Sequence, residues 1–126
     1  MGKIMNVLSK MVAVFRPKKS RLRSVKYDEA GFTVSFDGIP FATVRWEQVR
    51  EIVAFKEDLF AYDSICFGFR CDESGVYESV GEHEVDFAAF SKEVISRFPG
   101  FRKDWHEVVV QPPFAENWTV VWEAAR

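Results

Sequence analysis

The chain is poor in the residues that usually announce a site. Among 126 residues it has two cysteines and two histidines, no acid before Asp28, and no apolar run approaching about 18 residues. Each lack excludes something. Cys66 and Cys71 make no disulfide framework, because a spacing of five on one strand points their side chains to opposite faces. Free thiols without a secretory signal predict a reducing cytoplasm. The missing apolar run excludes a membrane-spanning helix. Cys66, Cys71, His83 and His106 match no zinc-ligand spacing, so no metal and no cofactor is predicted. No Gly-x-Ser-x-Gly elbow accompanies either histidine, and the abundant carboxylates single out no acid–base pair. The chain reads as non-enzymatic, with no catalytic residue.

What it has in quantity is apolar bulk and segregated charge. Hydrophobic residues make up 48%, including thirteen Phe and four Trp. That is ample core material for one domain of about 100 residues. The net charge of −2 conceals two opposed regions. Residues 1–26 carry eight bases (Lys3, Lys10, Arg16, Lys18, Lys19, Arg21, Arg23, Lys26) and no acid, while the remaining hundred hold 9 bases against 19 acids, a net of −10. Residues 1–24 therefore read as a basic leader and linker, and 25–126 as a single globular domain.

Within the leader, Ile4, Val7, Leu8, Met11, Val12 and Phe15 gather on one arc of a helix over 3–15, which Pro17 ends. Asn6, Ser9 and Lys10 interrupt it too often for a secretory signal, Asn6 spoils the myristoylation pattern, and Met5 and Met11 are alternative starts. In the body, alternating runs predict strands at Val25–Tyr27, Phe32–Phe36, Phe41–Trp46, Glu51–Phe55, Ser64–Cys71 and Val76–Val80, with a tight hairpin at Asp37–Gly38. The period then changes. Asp86 opens a helix carrying Phe87, Phe90, Val94 and Phe98, stopped by Pro99–Gly100. Asp104 starts a shorter one through Val110, and Trp118–Ala124 is a last strand with Trp118, Val120 and Trp122 on one core-facing side. The expected class is α+β: one antiparallel sheet of about five or six strands, with a main helix and a short second helix packed on one face.

From Val25 to Trp122 the chain resembles a broad group of small bacterial α+β proteins. The resemblance rests on Tyr27-Asp28-Glu29-Ala30-Gly31, on Trp46, Val49 and Ile52 spaced as Trp-x-x-Val-x-x-Ile, and on Asp58, Leu59 and Phe60 leading to Asp63–Phe67. It continues in Phe98-Pro99-Gly100-Phe101 and in a terminal strand carrying Trp122. It implies a common architecture and brings no activity with it. The basic leader and the acidity beyond Cys71 depart from the group. An open sheet and a pleckstrin-homology-like bent sheet both fit, and the internal position of the main helix favours the open sheet.

Two functions follow from charge. Six acids and no Lys or Arg lie between Asp72 and Asp86. A protein-binding module of immunity-inhibitor type would use Glu73, Glu78, Glu82 and Glu84 to capture a basic protein partner. Alternatively Lys3, Lys10, Phe15, Arg16, Lys18 and Lys19 contact an anionic membrane, placing a cytoplasmic protein at the membrane's inner face, or the leader packs on the acidic body or on a second subunit. The acidic body would repel nucleic acid phosphates, so nucleic acid is not an expected partner.

Overall fold

The computed structural model describes residues 22–58, 63–112 and 116–125. The amphipathic helix expected over 3–15 lies outside them. Arg23 and Ser24, which the sequence places in the linker, open the first strand. The described elements are β1 (Arg23–Tyr27), β2 (Gly31–Phe36), β3 (Ile39–Arg45), a 3₁₀ turn (Trp46–Gln48), β4 (Glu51–Asp58), β5 (Asp63–Arg70), β6 (Glu78–Gly81), α1 (Phe87–Arg97), α2 (Trp105–Val110) and β7 (Thr119–Glu123). All pairings are antiparallel.

The expected α+β arrangement, a single open sheet of five or six strands with helices on one face, is not what forms. There are two sheets, one ordered β1-β2-β3 and one ordered β6-β5-β4-β7, with two short helices. The physical reason is two-sided burial. In β4 every residue from Glu51 to Lys56 is buried, and in β5 every residue from Ser64 to Phe69. One sheet with helices on one side would leave half of those side chains wet. Ile52, Ala54, Phe67 and Phe69 instead join the main core, while Val53, Phe55, Cys66 and Tyr77 form a second cluster, with Trp118 packed against it. The chain changes sheets at the 3₁₀ turn, where Trp46 buries its ring and donates from Nε1 to the Asp28 carbonyl at 3.0 Å.

Local signals set the turns. Asp37 and Gly38 take φ of 53° and 82°, the pair of positive values that a two-residue hairpin matching strand twist demands. Asp86 caps α1 by accepting the Ala89 N–H at 3.3 Å, and the helix closes with the Phe98 N–H on the Val94 carbonyl before Pro99–Gly100. The end of α2 is closed differently. Asn117, at φ 50°, donates from its side-chain amide to the carbonyls of Val109, Gln111 and Pro112. Lys56 Nζ donates to those of Val110 and Pro112, at 2.9 and 2.7 Å. Carbonyls that a helix end leaves without partners are thus gathered by an amide and a buried ammonium.

The last strand corrects a second expectation. Ile52 pairs with Trp122 but Val53 pairs with Val120, so Val121 is the extra residue of a β-bulge. It takes the buried place, and Val120 is left 43% exposed. Trp118 and Trp122 end up on opposite faces. The former stacks on Phe55 at 5.1 Å, whereas the latter meets Phe98 at 4.7 Å and donates from Nε1 to the Pro99 carbonyl.

Phe90 occupies the middle of the main core. Its ring meets Tyr27 and Phe32 of the first sheet, Phe67 and Phe69 of the second, Trp46 of the turn, and Phe87 of its own helix, at 5.0–6.4 Å. Truncation there leaves a void bounded by both sheets. Phe90→Ala is expected to cost about 3–5 kcal/mol, against about 0.5 kcal/mol or less for the exposed Phe41→Ala, compared by urea denaturation.

Candidate functional site

The acidic stretch is built largely into the structure. Glu84 uses both carboxylate oxygens: Oε1 accepts the Gly81 N–H at 2.9 Å, and Oε2 pairs with the Arg23 guanidinium. Both side chains of that pair are over nine-tenths buried, and Arg23 donates again to the Ser79 carbonyl at 2.8 Å. The pair fastens β1 of one sheet to β6 of the other. Glu82, though exposed, accepts the Ile65 N–H at 2.9 Å, tying the turn after β6 to β5. Glu78 is half-buried, and burial pushes its carboxyl above the usual range, with Arg23 opposing. Glu73 reaches far into solvent, and it lies 3.9 Å from Arg70 and 4.0 Å from Arg50. Of the other acids, Asp72 accepts the Ser74 N–H and hydroxyl, which hold its carboxyl below the usual range, and Asp86 caps α1. Glu73 is thus drawn to Arg50 and Arg70, Glu82 to a backbone amide of β5, and Glu78 and Glu84 both face Arg23. A run of acids in sequence has not become an open acidic face.

A second polar group, which the sequence does not single out, sits at the end of β4. Glu51 Oε1 accepts from the Tyr77 hydroxyl and from Arg70 Nε, the latter at 3.2 Å. Burial, followed by the hydrogen bond to Glu51, pushes the Tyr77 phenol up to about 12. Here an acid, a phenol and a guanidinium satisfy one another beneath the surface. Lys56 is similarly committed, with Asp63 3.4 Å from its Nζ in addition to the two carbonyls. An ammonium whose hydrogens are all directed at oxygens is a fastener rather than a reactive amine.

The remaining candidates for chemistry are scattered. Cys66 is buried in the second cluster, and the thiol of half-buried Cys71 is pushed up by burial and then by Asp72 and Glu78, which lowers its thiolate fraction. His83 and His106 are exposed. Among the described residues no group of three or more His, Cys, Asp or Glu side chains is placed to hold a metal ion. No described helix is long and apolar enough to cross a membrane.

The membrane-contact candidates Lys3, Lys10, Phe15, Arg16, Lys18 and Lys19 lie outside the described residues. The point where their segment joins the domain is described. Leu22 is fixed to the β2–β3 hairpin twice over: its N–H donates to Asp37 Oδ1 at 2.9 Å, and its carbonyl accepts the Asp37 N–H at 2.8 Å. Strand alternation buries Val25, Phe32, Val34 and Val44, so the outward row of this sheet is Lys26, Thr33 and Thr43, with Arg45 beyond. Thr33 and Thr43 hydroxyls lie 3.3 Å apart, and Arg45 meets Glu47 of the turn at 3.3 Å. The outward face thus carries Lys26 and two hydroxyls, with the Arg45–Glu47 pair at the end away from Leu22. No family model, no curated protein and no solved structure matches the chain.

Two outcomes test these assignments. Arg23→Met leaves the Glu84 carboxylate buried without its cation and is expected to cost about 3–5 kcal/mol in urea denaturation. The double variant Arg23→Met, Glu84→Gln recovers part of that loss. For Tyr77, the folded pKa lies above the ordinary phenol value near 10, so its contribution to stability is complete below about pH 10 and disappears as pH rises towards 12. Absorbance titration at about 295 nm should show the Tyr77 phenol ionising last, a step that Tyr77→Phe removes.

Proposed function

We propose that the protein is a non-enzymatic module that binds peripherally to anionic membrane surfaces through its basic N-terminal segment. The observation that carries this reading is a continuity of charge. Residues 1–21 carry six bases and no acid, and they lead into a sheet whose outward face presents Lys26 among threonine hydroxyls, with Arg45 beside Glu47 at its far end. The apolar arc of residues 3–15 suits the boundary between headgroups and acyl chains, and its flanking bases suit anionic headgroups. The inner leaflet of a cell membrane is the surface of that chemistry.

The other reading, capture of a basic protein by Glu73, Glu78, Glu82 and Glu84, draws less support. Glu84 is closed off by Arg23, Glu82 holds a backbone amide of β5, and Glu73 lies between two arginines. Electrostatic steering needs a field that these cations do not cancel.

Flotation of the full-length protein with phosphatidylglycerol-rich vesicles at low salt tests the proposal. Binding should vanish on neutral vesicles and weaken with salt. Replacing Lys3, Lys10, Arg16, Lys18 and Lys19 by Gln removes five charges worth about 1 kcal/mol each, so the variant should bind at least ~100-fold more weakly. Equal flotation of the two proteins would refute it.

A further inference from the structure

We infer that the tip of the β2–β3 hairpin, Ile39-Pro40-Phe41 together with Leu22, is a second lipid contact that dips into the acyl boundary while the basic segment engages the headgroups. This rests on the membrane reading above and adds to it a contact that is hydrophobic rather than electrostatic. Leu22, Ile39 and Phe41 are 70%, 66% and 58% exposed, and all three lie at one end of the β1-β2-β3 sheet. The other large exposed apolar residues described, Val76, Ile95 and Val120, belong to separate parts of the fold, as ordinary surface residues do.

The tip is pre-formed. Phe41 packs edge-on against Phe36 at 5.1 Å, and Phe36 is the last buried ring of the sheet. One backbone bond and one bond to the Asp37 carboxylate hold Leu22 to the turn that precedes Ile39. Asp37 is the carboxylate of this turn, and it is directed at the Leu22 amide. Little conformational freedom remains to be lost when such a tip enters an apolar layer.

A lipid surface fits this feature better than a protein does. Three side chains at a hairpin end are far smaller than the roughly 800 Å² per partner of a stable protein interface. A second copy docked tip to tip would also bring two acid-free basic segments together. A bilayer needs no shape complementarity and carries the opposite charge.

The test uses the full chain with Ile39→Ser and Phe41→Ser combined, floated with phosphatidylglycerol-rich vesicles at low and at raised salt. At low salt the variant should still bind, about tenfold more weakly than the parent. At raised salt, where the basic segment is screened, the parent should keep measurable binding and the variant none. A variant that follows the parent at both salts overturns the inference and leaves the basic-segment reading standing. A parent that does not float at low salt overturns both. Sedimentation velocity adds a third arm: a parent dimer abolished by the double substitution, with flotation unchanged, makes the tip a contact between copies and overturns the inference. Should the serine variant fail to fold, Phe41→Trp decides, because an interfacial tryptophan at this position should strengthen vesicle binding; unchanged binding counts against the tip.

Discussion

The two sheets meet around one aromatic ring, beside which Phe32 and Phe69 also touch directly at 5.0 Å. Phe90 reaches from the first turn of α1 to Tyr27 and Phe32 on one side and to Phe67 and Phe69 on the other, so the helix acts as a wedge that keeps two unequal sheets around a single core. At such a junction large rings replace many smaller side chains, since each buries much area and ring edges pack on ring faces. Around that junction the polar fasteners make sense. Arg23 and Glu84 join the sheets at one edge, and Lys56 and Asn117 hold the end of α2 against β4. Their ionic and amide groups are buried only because each has partners to meet.

Local chemistry was legible in the sequence, and long-range pairing was not. Asp86 and Pro99–Gly100 bracket α1, and Asp37–Gly38 turns the β2–β3 hairpin, because cap and turn preferences act within a few residues. The split into two sheets was hidden. Alternation reports which residues face inward without saying which strand lies alongside, and the apolar run of β4 looks the same whether one face or both are covered. The bulge at Val121 was hidden for a related reason: one inserted residue reverses the facing of everything beyond it, and nothing in Trp118–Trp122 marks the insertion. Nothing local marks Lys56 as buried, and only the fold brings the end of α2 to its ammonium.

Charge shows the same separation of levels. Six acids in fifteen residues suggest a patch, but position in sequence says nothing of partners supplied from elsewhere. Arg23, from the basic end of the chain, closes on Glu84, 61 residues away. That single pair turns a feature of composition into a feature of architecture. What remains outward on the first sheet is Lys26 and the hydroxyls of Thr33 and Thr43, with the apolar hairpin tip at the end where Leu22 enters, and the proposed membrane contact is drawn from these groups.

The position of β7 bears on how the molecule is made. β4 is an inner strand, flanked by β5 and by a strand encoded some sixty residues later, with α1 and α2 intervening. While the chain is being synthesised, β4 and β5 can form a hairpin early, yet one edge of β4 stays unpaired until Thr119–Glu123 has cleared the ribosome. The second sheet therefore closes late. During that interval the exposed edge of an apolar strand is the segment most in need of protection by a chaperone.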